Sequence, residues 1–220
     1  MKLLIKSALI LALLFASTFV LIKMSGVITL QDIEQGFYQL QQQPAYWIGG
    51  FMALLLFVDL FIAIPTMTVM LLGAFFIGFE MALLFAFMGL SSAALTGYGL
   101  SWRWGDYLLK RISNDPQQRQ EMESTFKEHG VMLLILSRAA PILPEVSACL
   151  AGASRMPFKR FALGWSLGSL PYMTIVCYAG SVSTLENPKP AIFAAMGISL
   201  TLWLMWRFIL RPKLQQQPID

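Results

Sequence analysis

Charge is scarce in this chain. Asp, Glu, Lys and Arg together make up 13% of its 220 residues and hydrophobic residues 57%, whereas soluble domains carry roughly 25% and about 45–50%. That balance excludes a water-soluble globule with a normal charged surface and predicts an integral membrane protein. Histidine and cysteine are equally thin, with one of the first and two of the second. Cys149 and Cys177 lie in apolar stretches without Cys-x-x-Cys or His-rich spacing, so no metal site or disulfide framework is expected and two buried thiols are. His129 stands alone and gives no nucleophile–histidine–acid pattern. No cofactor and no enzymatic activity are therefore expected. The net charge of +4 comes from short basic segments beside apolar ones, which read as topology signals and headgroup contacts. They offer no contiguous groove for nucleic acid.

What the chain does have is a pattern stated twice. Gly73 and Gly89 follow Pro65 by eight and then sixteen positions, and the same steps from Pro144 reach Gly152 and Gly168. The offset is 79 residues, and over 54–94 against 133–173 nine of 41 positions are identical. Duplicated hydrophobic halves broken by proline and glycine point to a membrane transporter whose site lies between the repeats.

The spans follow from apolar length. The run 3–22 follows Lys2 and holds Lys6 near its start, is as long as a spanning helix, and exceeds the roughly 7–15 apolar residues of a signal-peptide core. It reads as an uncleaved anchor. Segment 23–45 is polar, Gln-rich and poor in basic residues, which places it outside. Segment 46–79 carries Asp59 and is interrupted by Pro65, so it reads as two short pieces that enter and leave on one side. A full span is expected over 81–100, ending at the interfacial Trp102, Arg103 and Trp104, and then a cytoplasmic surface helix within 106–129.

The second half repeats the plan. Residues 131–137 are too few to cross, Arg138, Pro141 and Pro144 break the run, and 145–153 returns before the basic turn of Arg155, Lys159 and Arg160. Spans over 161–180 and 191–210 follow, with Arg211 and Lys213 in the tail. The expected fold is an all-α polytopic membrane protein, an inverted repeat with two re-entrant helical elements and about four full transmembrane helices. Both termini are then cytoplasmic, with the Pro65 element on the outer side and the Pro144 element on the inner side. The chain divides into an anchor and outer loop (1–45), a membrane domain (46–181), and a last span with its tail (182–220).

The chemistry lies in the charges on the broken elements. Asp59 precedes Pro65 by six residues and Arg138 precedes Pro144 by six, so the repeats carry opposite charges at equivalent positions. A charge at membrane depth needs a partner or a wet cavity, and a pseudo-two-fold would bring these two together near the midplane. Glu145 follows Pro144 where Thr66 follows Pro65, which makes the expected site one cation and two acids. Either a static ion pair fixes helix packing, or the guanidinium grips a phosphate bidentately while Asp59 or Glu145 takes up a proton or balances charge. His129 is expected at the interface, away from any ligand.

The run Ser137-Arg138-Ala139-Ala140-Pro141-Ile142-Leu143-Pro144, then Ala151-Gly152, Phe161, Gly168, Pro171 and Tyr178-Ala179-Gly180, resembles the motif of the DedA superfamily in its VTT or SNARE-associated branch. The first half is similar through Pro65, Gly73, Gly78, Gly89 and Arg103-Trp104-Gly105. The resemblance implies a multi-pass inner-membrane protein with two re-entrant helices that moves lipids or lipid phosphates, such as undecaprenyl phosphate, between leaflets. It makes Arg138 the membrane arginine, with Pro141, Pro144 and Gly152 beside it in the substrate-binding motif, and Pro65, Gly73, Gly89, Gly168 and Pro171 as structural positions. Many bacterial members carry a second arginine where Pro144 stands and an acid where Thr66 stands, and this chain has neither. The expected partners are membrane lipids or a polyprenyl phosphate, and self-association into a homo-oligomer is left open. The alternatives are a membrane scaffold acting in envelope homeostasis and an intramembrane lipid phosphatase.

Overall fold

A computed structural model describes residues 30–62, 64–112, 116–138 and 143–183, with isolated positions at 13, 17, 193, 196 and 197. The spans expected over 3–22 and 191–210, and Pro141, lie outside the described residues. Those described fold as seven helices with no strand: α1 (Leu30–Leu40), α2 (Ala45–Val58), α3 (Thr66–Ile77), α4 (Phe79–Ile112), α5 (Pro116–Ser137), α6 (Leu143–Ala153) and α7 (Phe158–Val182). Among them Phe79–Gly105 is long and apolar enough to cross a membrane. Helix α7 has 25 residues, but Trp165, Ser166, Ser169, Pro171 and Tyr172 dilute its hydropathy.

Proline and glycine set the helix ends. Pro44, Pro65 and Pro157 stand immediately before α2, α3 and α7, where a missing N–H costs no helical bond. Helix α3 stops at Gly78, whose φ of 79° is in the left-handed region and whose N–H donates to the Ala74 carbonyl at 3.0 Å. Helix α6 stops differently. Arg155 takes the left-handed position with φ 55°, its N–H donates to Gly152 and that of Met156 to Ala151, each at 3.0 Å. This is the double-bonded C-terminal turn that glycine usually makes. The Arg155 guanidinium lies 5.2 Å over the Trp102 ring, a contact that offsets part of the conformational cost.

Two expectations are revised. Segment 23–45 contains a helix, α1, with Ile33 and Phe37 buried four residues apart, the spacing that puts both on one face. Phe37 stacks on Phe76 of α3 at 6.0 Å between ring centroids and meets Phe51 of α2 edge-on at 5.3 Å. The surface helix expected within 106–129 and the short piece 131–137 are one helix, α5, because Gly130 does not break it. Gly130 is packed instead against Met156 and Phe126.

The helices exchange partners. The most extensive contact joins α6 to α4, and α3 lies along α7, while α2 packs on α4 and α5 on α7. Small residues allow these approaches: a Cβ at Gly89 would stand 2.7 Å from the Ala53 carbonyl oxygen and 2.8 Å from Leu56, and one at Gly168 3.1 Å from Ile135 Cα. Two apolar cores result, one around Val146, Ala151, Met156 and Phe161, the other around Phe37, Met52, Met70 and Val176. Trp165 touches both.

Candidate functional site

Helix α2 ends at Val58, and the chain turns over Asp59–Ile62 before α3 begins. Asp59 closes that turn: its Oδ1 accepts the Ile64 N–H at 2.7 Å, and the side chain is buried. In the other half α5 ends at Ser137, and Arg138 follows directly. Glu145 belongs to the first turn of α6. The two turns meet at a cavity of about 20 Å³ lined by Asp59, Leu60, Leu90, Ala93, Ala94, Arg138, Pro144, Glu145 and Trp165. That is room for about one water.

Asp59, Arg138 and Glu145 thus come together, but among the described residues no ion pair joins Asp59 to Arg138. The guanidinium turns to α7 instead, where Nε donates to Ser169 Oγ at 3.2 Å and Nη2 donates to the same oxygen at 2.7 Å. Its Cζ lies 5.4 Å from the centroid of the Tyr172 ring. Glu145 and Asp59 both line the cavity with Arg138, and among the described residues neither forms an ion pair with it. The carboxyl groups of Asp59 and Glu145 share this cavity.

The remaining motif positions have other places. Pro65 precedes α3, and Pro144 lines the cavity. Gly152 is not among the lining residues; it faces the Tyr98 carbonyl and the Trp102 backbone nitrogen on α4. Gly73 faces Met52, and Gly89 and Gly168 sit in the contacts described above. Pro171 lies inside α7. His129 is exposed beside Glu128, away from the cavity.

A family model for the VTT domain matches residues 64–182, more than half of the chain. The chain belongs to the VTT-domain family. This domain, shared by the DedA and SNARE-associated proteins, is a membrane-associated one. In this VTT-domain protein the matched region takes in Arg138, Pro144, Glu145 and all of α7, and begins five residues after Asp59. Comparison with curated proteins and with solved structures finds no match.

Reasoning from sequence passed over Trp165, Ser169 and Tyr172. A signal for them existed. They fall at i, i+4 and i+7, one face of a helix, and the positions 79 residues earlier hold Ala86, Leu90 and Ala93. Polar or amphipathic side chains stand on this face of α7 where the other repeat has small or apolar ones.

Proposed function

We propose that this VTT-domain protein is a translocase for membrane lipids bearing a phosphate, in which Arg138 binds the headgroup and Asp59 or Glu145 carries a proton or balances charge. It is not an enzyme in this reading, and its partners are the lipids themselves. The observation that carries the proposal is the cavity: one arginine and two acids, brought from the broken turns of two halves to a common point between α4 and α7. Charges so placed in an apolar protein mark a substrate or ion pathway.

The architecture proposed with it is an inverted repeat in a multi-pass inner-membrane protein with both termini cytoplasmic. Three observations support it. Helices α2 and α3 have 14 and 12 residues, about 21 and 18 Å at 1.5 Å per residue, too short for a hydrocarbon core of roughly 30 Å. They suit a hairpin that enters and leaves on one side, and α6 with 11 residues suits a second. The exchange of partners also fits a two-fold: α3 and α6, the helices that follow the two broken turns, each pack on the long helix of the other half. Finally, Gly89 rests on Leu56 and Gly168 on Ile135, and both members of these contacts are 79 residues apart.

A cavity of about 20 Å³ is small for a phosphate group, so binding one requires its lining to give way. Liposomes containing the purified protein and a labelled prenyl monophosphate test the proposal. Transbilayer movement of the label is expected. Release of inorganic phosphate would establish a phosphatase, and neither movement nor release would favour a scaffold.

A further inference from the structure

Opposite charges that share an apolar cavity ordinarily collapse onto one another, because a low local dielectric strengthens their attraction. Arg138 does not collapse. Ser169 and Tyr172, on one face of α7, hold it from two sides. Ser169 is 1% exposed, so its oxygen has no bulk water competing for it, and it accepts from Nε and Nη2 together. The Tyr172 ring lies against the guanidinium, 5.4 Å from Cζ to the ring centroid. The arginine is therefore anchored to α7.

We propose that Ser169 and Tyr172 are positioning residues that keep Arg138 off Asp59 and Glu145, so that one edge of its guanidinium stays available for a phosphate monoester group. The inference rests on the translocase reading above and deepens it. An arginine has five N–H donors. Ser169 occupies one on Nε and one on Nη2, which leaves the outer edge, formed by Nη1 and the second Nη2 hydrogen, as the fork that can meet two phosphate oxygens. The equipment is present in one half only. The positions equivalent to Ser169 and Tyr172 are Leu90 and Ala93, which line the cavity but offer neither an acceptor nor a ring. The half that carries the arginine also carries its holder; the half that carries Asp59 does not.

The test measures binding, so that it stands apart from transport. Purified full-length protein in detergent is titrated against a fluorescent short-chain prenyl monophosphate, with inorganic phosphate as competitor in a second arm. Wild type is expected to bind the prenyl monophosphate, Ser169→Ala to weaken it about tenfold, and Ser169→Thr, which keeps the hydroxyl, to stay within about threefold of wild type. Adding Glu145→Gln to Ser169→Ala should recover most of the loss, because the released arginine then has one acid fewer in the cavity to pair with. A merely structural role for Ser169 would give no such recovery. Displacement by inorganic phosphate at concentrations equal to the lipid's would assign the site to free phosphate, and weak displacement assigns it to the headgroup of a lipid. Equal binding by wild type and Ser169→Ala, both monodisperse, overturns the positioning role alone, as does a loss that Glu145→Gln leaves in place. Failure of wild type to bind either probe overturns the phosphate reading from which this one descends.

Discussion

Replacing Gly152 by alanine should force α6 away from α4. A new Cβ there meets the Tyr98 carbonyl oxygen and stands 3.0 Å from the Trp102 nitrogen, and both are backbone atoms of a 34-residue helix that cannot swing aside like a side chain. Overpacking of this kind costs roughly 1–3 kcal/mol, and a clash with backbone belongs at the upper end. Against it stands the gain of about 1 kcal/mol that alanine brings over glycine inside a helix. The net is a loss of about 2 kcal/mol, or roughly 4–8 °C in melting temperature for a chain of this size. Two companions calibrate the measurement. Gly99 has nothing within 4 Å of its missing Cβ, so Gly99→Ala shows the gain alone. Gly168 meets Ile135 Cα at 3.1 Å, and Gly168→Ala should fall between the two. Melting of each detergent-solubilised variant, followed by fluorescence-detected size exclusion, gives the order Gly99→Ala, Gly168→Ala, Gly152→Ala from most to least stable. A Gly152→Ala protein that melts with or above Gly99→Ala would refute the close packing of α6 on α4.

Arg138→Lys keeps the charge and loses the planar fork, so transport of a phosphorylated lipid should fall about tenfold or more, the equivalent of ~1.4 kcal/mol, while expression is retained; equal transport at matched protein amounts would make the arginine structural. Tyr98→Phe removes the hydrogen bond donated to the Met156 carbonyl at 2.6 Å but keeps the ring stacked on Phe161 at 4.4 Å, and should lower stability by about 1 kcal/mol, read as a lower melting temperature with unchanged lipid binding. For the proposed topology, cysteines introduced at Gln117 and Gln216 should be protected from an impermeant thiol reagent in intact cells, and one at Gln42 should react. Labelling at Gln117 from outside would sink the inverted arrangement.

How much of this was legible in sequence depends on the kind of signal. The proline and glycine spacing located the turns before α3 and α6, since a missing N–H and a missing Cβ act locally and leave a local mark. It also brought Asp59, Arg138 and Glu145 to one place, where the structure has them. The partner of Arg138 was not legible. A hydroxyl at Ser169, in the middle of an apolar helix and 31 residues away, competes successfully with two carboxylates for reasons of direction and distance that composition does not carry. Helix α1 was hidden by its own glutamines. Its burial depends on two side chains, Ile33 and Phe37, whose pocket exists only once Phe51 and Phe76 stand together. Helix α5 was divided where the polar stretch 106–129 gives way to the apolar run 131–137, a change of environment along the chain that does not interrupt a helix's backbone bonds.

The exchange of partners between the halves also bears on how the protein is made. A Cβ at Gly180 would stand 2.9 Å from Ala74 and from Leu71 Cα, so the wall against which α3 rests is synthesised more than a hundred residues after it. At roughly 5–20 residues per second the first hairpin waits about 5–20 s without its cover. Helix α1 is already available, and Phe37 on Phe76 can hold the far end of α3 during that interval. Release of the chain before Gly180 would leave α3 without the end of its long neighbour, so truncations of the last turns of α7 should be cleared by quality control as if the whole protein had failed to fold.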